Sequence, residues 1–206
     1  MPKIDVHEAL AREWAGTDLD ATLAWLGTLT DDRVQTAAAE GLMWTWAQKD
    51  LREAVDWASQ LLESEFRNKI LLKTSKILAT QDPARAAAWT AEFAEDQGRK
   101  EALIYAVHQW FERNATAAAA WAVGIENAPM RNEALMAVAA SWANRDPGPA
   151  AAWLASMPAD SRAEALPLVA GRWLVRDREA ALAWVAQLPD AEERQRLTAQ
   201  FSVTPE

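Results

Sequence analysis

The chain contains no cysteine, and glycine and proline are scarce, with seven and nine among 206 residues. Without cysteine it can form neither a disulfide nor a thiolate nucleophile nor a cysteine-bound zinc site. The low glycine and proline content, with 50% of residues apolar, excludes a low-complexity chain and indicates a packed core. The first ten residues, MPKIDVHEAL, hold no long apolar run, so we expect neither a signal peptide nor a membrane anchor. We therefore expect a cytoplasmic protein.

Positive charge is also scarce. The 21 Lys and Arg residues face 30 Asp and Glu, which gives a formal net charge of −9. A field of this sign repels nucleic acid and anionic membranes, so we expect neither as a partner. The two histidines, His7 and His108, lie far apart, and no Gly-rich phosphate loop or HExxH motif occurs. We therefore predict that the protein is not an enzyme and has neither a metal nor another cofactor.

Tryptophan, in contrast, is abundant and regularly spaced: twelve occur beside one tyrosine and four phenylalanines. Six of them follow one another at intervals of 32 residues, the last interval being 31: Trp25, Trp57, Trp89, Trp121, Trp153 and Trp184. Eleven residues before each lies a second large apolar residue: Trp14, Trp46, Leu78, Trp110, Trp142 and Trp173. A fixed period of this length indicates stacked supersecondary units.

Each period reads as a pair of helices. In the third, Asp82 is a suitable N-cap and Pro83 takes the first helical position. A short helix A follows, with Trp89 on its apolar face, and breaks at 95–98. A longer helix B then begins at Arg99. The capping residue recurs in every period: Asp18, Asp50, Asp82, Asn114, Asp146 and Asp177.

The periods together predict an all-α fold of about six 32-residue helix-turn-helix repeats with a leading half-repeat at roughly Ile4–Trp14. The units start near 18, 50, 82, 114, 146 and 177 and form a single repeat domain over 1–206. Pro167 falls within the fifth helix B, where we expect a kink or a local rewinding of the helix. The last helix, about 190–201, is polar and suits a C-terminal cap. Small residues three positions before each helix A tryptophan allow close helix packing: Thr22, Ala54, Ala86, Ala118, Ala150 and Ala181.

The boundary between units, Asp-Pro-x-x-Ala-x-Ala-Trp at Asp82–Trp89 and Asp146–Trp153, resembles the tetratricopeptide repeat. The chain is similar to the tetratricopeptide-like and HEAT-like superfamily of helical hairpin repeats. Its units have 32 residues where the tetratricopeptide repeat has about 34. The helix A glycine of that repeat is replaced by large residues: Leu29, Leu61, Phe93, Ile125, Met157 and Leu188. The resemblance implies a right-handed α-solenoid whose concave face binds a peptide or a partner helix.

An arginine recurs in the turn region between helices A and B: Arg67, Arg99, Arg131, Arg162 and Arg194, with Arg33 shifted by two. One interpretation is a stripe that binds anions. The other, which we favour, is a set of surface ion pairs with neighbouring Asp or Glu residues.

Function is expected where the units differ. Three positions on one face of helix B lie nine, five and two residues before its terminal large residue. On neighbouring helices they hold an off-register tryptophan, a row of three lysines and a Tyr–His pair: Trp44, Lys69, Lys73, Lys76, Tyr105 and His108. In an acidic protein such a row predicts a local positive patch that receives an acidic or phosphorylated peptide. The alternative is a solvated lysine face, with the tryptophan packed against a neighbouring helix.

The sequence therefore predicts a non-enzymatic protein- or peptide-binding scaffold with a protein or peptide partner, acidic if the lysine row binds it. A structural protein that stacks through its terminal repeats is the alternative, and the oligomeric state stays open. A HEAT-like enzyme acting on nucleic acid is a third possibility, which the strongly negative net charge disfavours.

Overall fold

The computed structural model describes residues 6–62, 64–93 and 97–202. Every regular element in those ranges is helical, which confirms the predicted all-α class. None of these helices combines the length and the apolar composition that crossing a membrane requires. In chain order they are α1 (Val6–Thr17), α2 (Leu19–Thr28), α3 (Asp32–Lys49), α4 (Leu51–Ser59), α5 (Glu65–Gln81), α6 (Pro83–Ala91), α7 (Gln97–Arg113), α8 (Ala115–Gly124), α9 (Ala128–Arg145), α10 (Pro147–Ala155), α11 (Ala159–Arg162), α12 (Ala165–Arg176), α13 (Arg178–Ala186) and α14 (Ala191–Ser202).

Short and long helices alternate from α2 to α10. Helices A are α2, α4, α6, α8, α10 and α13, with nine or ten residues each. Helices B of the first four repeats are α3, α5, α7 and α9, with 17 or 18 residues each. The predicted C-terminal capping helix corresponds to α14.

Two predicted helix boundaries are corrected. The leading helix continues beyond Trp14 to Thr17, and the backbone N–H of Asp18, which caps the next helix, still bonds to the Trp14 carbonyl at 2.8 Å. Helix B of the third repeat already includes Gln97, ahead of the predicted start at Arg99. The predicted start at Ile4 and positions 95–96 of the predicted break lie outside the described residues.

The predicted N-caps begin the helices A. The Asp50 side chain accepts a hydrogen bond from the backbone N–H of Glu53 at 2.9 Å, which satisfies one of the free donors of the first turn. Pro83, as predicted, lies at the start of α6. The equivalent cap forms at all six positions: Asp18, Asp50, Asp82, Asn114, Asp146 and Asp177.

The chain divides into two compact units, Met1–Gln109 and Trp110–Glu206. In the first unit, α3 packs against both α1 and α5. Thr45 on α3 donates to the Arg12 carbonyl at 2.8 Å, and Lys49, one turn later, donates to the Ala15 carbonyl at 3.4 Å. Because both partners advance in the same direction, α1 and α3 lie side by side and parallel.

The second unit shows the same relation between its long helices. α9 packs against α12, and α12 packs against α13 and α14. Asn132 on α9 donates to Glu164 at the start of α12 at 3.5 Å. Near the other ends of these helices, Arg176 donates to the Arg145 carbonyl at 2.9 Å. The partners lie about one repeat apart in sequence, so neighbouring repeats contact each other in register.

Tryptophan pairs connect each helix B to the helix A that follows it. Their ring centroids lie 5.6 to 5.8 Å apart in Trp14–Trp25, Trp46–Trp57, Trp110–Trp121, Trp142–Trp153 and Trp173–Trp184. At the remaining boundary Leu78 replaces one tryptophan. There the Trp89 ring contacts Phe93 edge-on at 5.0 Å, and its Nε1 donates to the Ser59 hydroxyl at 2.9 Å. The small residues predicted to allow close packing are fully buried: Thr22, Ala54, Ala86, Ala118, Ala150 and Ala181.

Three of the turn-region arginines bond to backbone carbonyls, and the ion pair that Arg162 also forms is buried rather than on the surface, where the sequence predicts it. Arg131 donates to the Ile125 carbonyl at 3.0 Å, and Arg162 donates to the Met157 carbonyl at 2.8 Å. Arg194 donates to the equivalent Leu188 carbonyl. These carbonyls lie at the end of helix A, where no intrahelical donor remains, so the arginine completes the hydrogen bonding of the helix terminus. Three members of the series are at most 5% exposed: Arg67, Arg99 and Arg162.

Pro167 divides the fifth helix B, as predicted. The helix stops at the end of α11 and resumes at the start of α12, with Ala163 and Glu164 between them. Proline lacks the N–H that would bond to the Ala163 carbonyl four residues earlier, and its ring crowds that carbonyl. The break therefore lies one turn before the proline.

A buried ion pair joins α11 to α14. Arg162 Nη2 lies 2.9 Å from Glu193 Oε2, and both side chains are 6% exposed. The backbone N–H of Glu193 also donates to the Asp190 carboxylate at 2.9 Å, and this hydrogen bond lowers the pKa of Asp190 below its ordinary value. Glu193 therefore joins the last helix to α11 through its side chain and bonds to Asp190 through its backbone.

We expect Gly41→Ala to destabilise the first unit. A Cβ at position 41 would overlap the backbone carbonyl of Glu8, and backbone cannot move aside as a flexible side chain can. Overpacking of this kind costs about 1–3 kcal/mol. Gly27→Ala is the matched control, because a Cβ there meets nothing within 4 Å. Urea unfolding monitored by tryptophan fluorescence should show a lower free energy of unfolding for Gly41→Ala and no decrease for the control. Equal stability of the two variants would contradict the close packing of α1 and α3.

We expect Glu193→Gln to lower the free energy of unfolding by about 3–5 kcal/mol, because it leaves the Arg162 guanidinium buried without its counter-ion. The double variant Arg162→Met/Glu193→Leu should lose less free energy of unfolding than the sum of the Arg162→Met and Glu193→Leu single variants. Arg131→Met controls for the lost carbonyl bonds, since Arg131 donates to the Ile125 carbonyl. Additive costs in urea unfolding would show that the pair does not act as a unit.

Candidate functional site

A groove between α5 and α7 holds half of the predicted site. Its lining comprises three predicted and three further residues, Leu72, Lys76, Glu101, Ile104, Tyr105 and His108, and its volume is about 340 Å³. We call it the α5–α7 groove. Trp44, Lys69 and Lys73 do not line it. The structure therefore brings together Lys76, Tyr105 and His108, all within the first unit.

Close contact between α5 and α7 positions the groove. A Cβ at Gly98 would lie 2.6 Å from the Asn68 Cβ, so only glycine allows this approach without a shift. Further along, the buried Ser75 hydroxyl donates to the Ala102 carbonyl at 3.3 Å. The partners advance together along both helices, so α5 and α7 lie parallel and the groove runs along them.

The outer face of α7 forms one wall. Glu101, Ile104, Tyr105 and His108 follow one another at helical spacing and so share a face. The opposite face is fully buried: Ala102, Leu103, Ala106 and Val107. This division into a buried and an exposed face fixes the direction in which the groove residues point.

The lysine row does not act as three unpaired charges. Lys69 lies 2.8 Å from Glu65 on the same helix, and its hydrogen bond holds the pKa of the Glu65 carboxyl below its ordinary value. Lys73 lies 3.3 Å from Glu40 on α3, with both side chains half-buried. The positive patch is therefore smaller than the sequence predicts.

Lys76 is placed differently from the other two lysines. Its ammonium lies 5.6 Å from the centre of the Tyr105 ring, within the range of a cation–π contact. Among the described residues, no carboxylate forms an ion pair with this ammonium, in contrast to those of Lys69 and Lys73. Lys76 therefore contributes the available positive charge of the α5–α7 groove.

Trp44 lies on α3 and is 43% exposed. The Arg12 guanidinium lies 4.6 Å from the centre of its ring, and Arg12 is held in turn by Glu8 at 2.8 Å. A residue of the neighbouring helix therefore covers part of the indole, and the rest faces solvent. The sequence predicts either that Trp44 belongs to a partner-binding face or that it packs against a neighbouring helix, and the partly covered, partly exposed indole lies between these alternatives.

Leu72 and Ile104 were missed by the sequence analysis. They supply the apolar floor of the α5–α7 groove, and Ile104 is 41% exposed. The three columns chosen along helix B skip both positions. The signal was nevertheless present, because Ile104 follows Glu101 by three residues and therefore shares its helix face.

Neither metal ligands nor relatives identify the site. In the described ranges, no three His, Asp or Glu side chains are grouped so that they could hold a metal ion. Comparisons with protein-family models, curated proteins and solved structures find no match. The α5–α7 groove is thus characterised by its own chemistry: an apolar floor, an aromatic ring, one available lysine and one carboxylate.

We expect replacement of Lys69, Lys73 and Lys76 by Gln to change the free energy of unfolding by no more than about 1 kcal/mol, because partly exposed ion pairs contribute little. Replacement of the same three residues by Glu should cost more, since new carboxylates would face Glu65 and Glu40. Thermal denaturation at low and high salt tests this, because the difference between the triple variants should shrink as salt screens the repulsion. A difference independent of salt would refute this explanation.

Proposed function

We propose that this protein is a non-enzymatic protein- or peptide-binding scaffold in which six helical hairpins and a leading half-repeat form one right-handed α-solenoid. Two observations support the arrangement. Short capped helices alternate with longer ones, and hydrogen bonds within each unit join residues about one repeat apart, such as Thr45 with Arg12 and Arg176 with Arg145. In this proposal both compact units belong to a single repeat domain over 1–206.

The observation that carries the proposal is the α5–α7 groove. An exposed Ile104 lies there beside an aromatic ring and a lysine that lacks a carboxylate partner among the described residues. Binding sites combine such apolar surface with a few polar groups that orient the ligand. A segment of a partner protein would bury Ile104 and Leu72 and present an acidic residue to Lys76.

A structural role is the second candidate. Helix α1 exposes Val6 at 76% and Leu10 at 48%, and the two residues lie one turn apart on the same helix face. Stacking of one array on the next would bury this surface. The average molar mass in solution should then rise with protein concentration, whereas a monomeric binding module would keep a constant mass.

We expect peptides selected from a displayed random library on the immobilised full chain to lose about tenfold or more in affinity for Ile104→Asp, because burial of a large aliphatic side chain contributes about 1.5–3 kcal/mol. Leu182→Asp is the matched control: Leu182 is 39% exposed, close to the 41% of Ile104, and lies on α13. Isothermal titration of the selected peptides against both variants gives the affinities.

An equal loss of peptide affinity in the two variants would mean either that the binding surface lies elsewhere or that the variants are misfolded. Thermal denaturation distinguishes these two explanations. Failure to select any peptide, together with a mass that rises with concentration in sedimentation experiments, would replace the binding function by the structural one.

A further inference from the structure

The chemistry of the α5–α7 groove differs between its two ends. Because α5 and α7 are parallel, Glu101 lies toward the start of α7, and His108 lies two turns further on. Lys76 lies beside Tyr105, one turn beyond Glu101. Glu101 therefore lies at one end of the groove, and the Lys76 ammonium lies about one turn further along it, level with the Tyr105 ring.

The floor between these ends accepts an apolar group of limited size. Leu72 is half-buried and Ile104 is 41% exposed, so the floor is accessible from solvent. The volume of about 340 Å³ is at the small end of ligand sites, which span roughly 300–1,000 Å³. It suits one or two side chains of a peptide rather than a whole domain surface.

The charge at the lysine end is local. Lys69 and Lys73 are paired with Glu65 and Glu40, so their charges are balanced within the first unit. At physiological salt the screening length is about 8 Å, so the distant negative charges of the chain act weakly on a ligand in the groove. A carboxylate at this end meets Lys76 first, whereas at the other end it would meet Glu101.

From this arrangement we infer that the α5–α7 groove is a subsite for an aliphatic side chain adjoined by a carboxylate, with the carboxylate at the Lys76 end. The occupant is an acidic segment of a partner protein in which Asp or Glu follows or precedes a Leu-like residue. The inference rests on the proposed binding function and adds to it the adjacency of the aliphatic and acidic residues in the ligand and their orientation in the groove.

Three capped dipeptides test the subsite directly: N-acetyl-Leu-Glu-amide, N-acetyl-Leu-Gln-amide and N-acetyl-Ser-Glu-amide. Each is titrated to millimolar concentration into the isotope-labelled full chain while the backbone amide signals are followed by NMR. The Leu-Glu probe should shift signals from α5 and α7. Its binding should be about 1.4- to fivefold tighter than that of Leu-Gln, because a partly exposed ion pair contributes about 0.2–1 kcal/mol. The Ser-Glu probe should bind more weakly still, since it leaves the floor uncovered.

Two lysine variants complete the test. Lys76→Gln should remove the preference for Leu-Glu over Leu-Gln, whereas Lys69→Gln, on the same helix, should keep it. Thermal denaturation verifies that both variants are folded. Equal binding of Leu-Glu and Leu-Gln to the parent chain would overturn the carboxylate specificity, and an absence of shifts in α5 and α7 with every probe would overturn the subsite itself. Neither result bears on the proposed binding function, which the selected library peptides test separately. Failure of the inference and failure of the function therefore remain distinguishable.

Discussion

The structure depends on the packing of helices that are too short to persist alone. Helices A have only nine or ten residues. Isolated helices below about 12–15 residues are marginal in water. Their stability must therefore come from the fully buried small residues and the side-chain caps that recur in each repeat, and from the tryptophan pairs at five of the six boundaries. The same requirement explains why the pattern recurs so regularly, since each hairpin needs its neighbours to bury its apolar face.

The turn arginine solves a related problem at the other end of helix A. The last carbonyls of a helix have no partner within it, and a buried terminus cannot rely on water. Arg131 and Arg162 reach the carbonyls of Ile125 and Met157, respectively. A long side chain that begins in helix B thereby completes helix A and holds the two helices of a hairpin together. Its charge needs further compensation where it is buried, as the Arg162–Glu193 pair shows.

Much of the local structure could be predicted from the sequence, because it depends on spacing along the chain. The caps, the alternation of short and long helices and the break before Pro167 follow from neighbours within one or two turns. The side-chain partners could not be predicted in this way. Lys73 forms an ion pair with Glu40 on another helix, and a contact between residues so far apart in sequence cannot be inferred from local spacing. The α5–α7 groove was only partly predicted for a similar reason: exposure of Ile104 depends on how closely the parallel helices approach.

The tryptophan pairs also have an optical consequence. Two indoles held 5.6 to 5.8 Å apart at interplanar angles of 35° to 48° are close enough, and sufficiently tilted, for their electronic transitions to couple. Such coupling adds a split band to the far-ultraviolet circular dichroism, so helix content read from the spectrum alone would be distorted. The boundary at Leu78 lacks a pair and contributes no such band. Each of the other repeat boundaries carries its own chromophore, which disappears from the spectrum when that boundary opens.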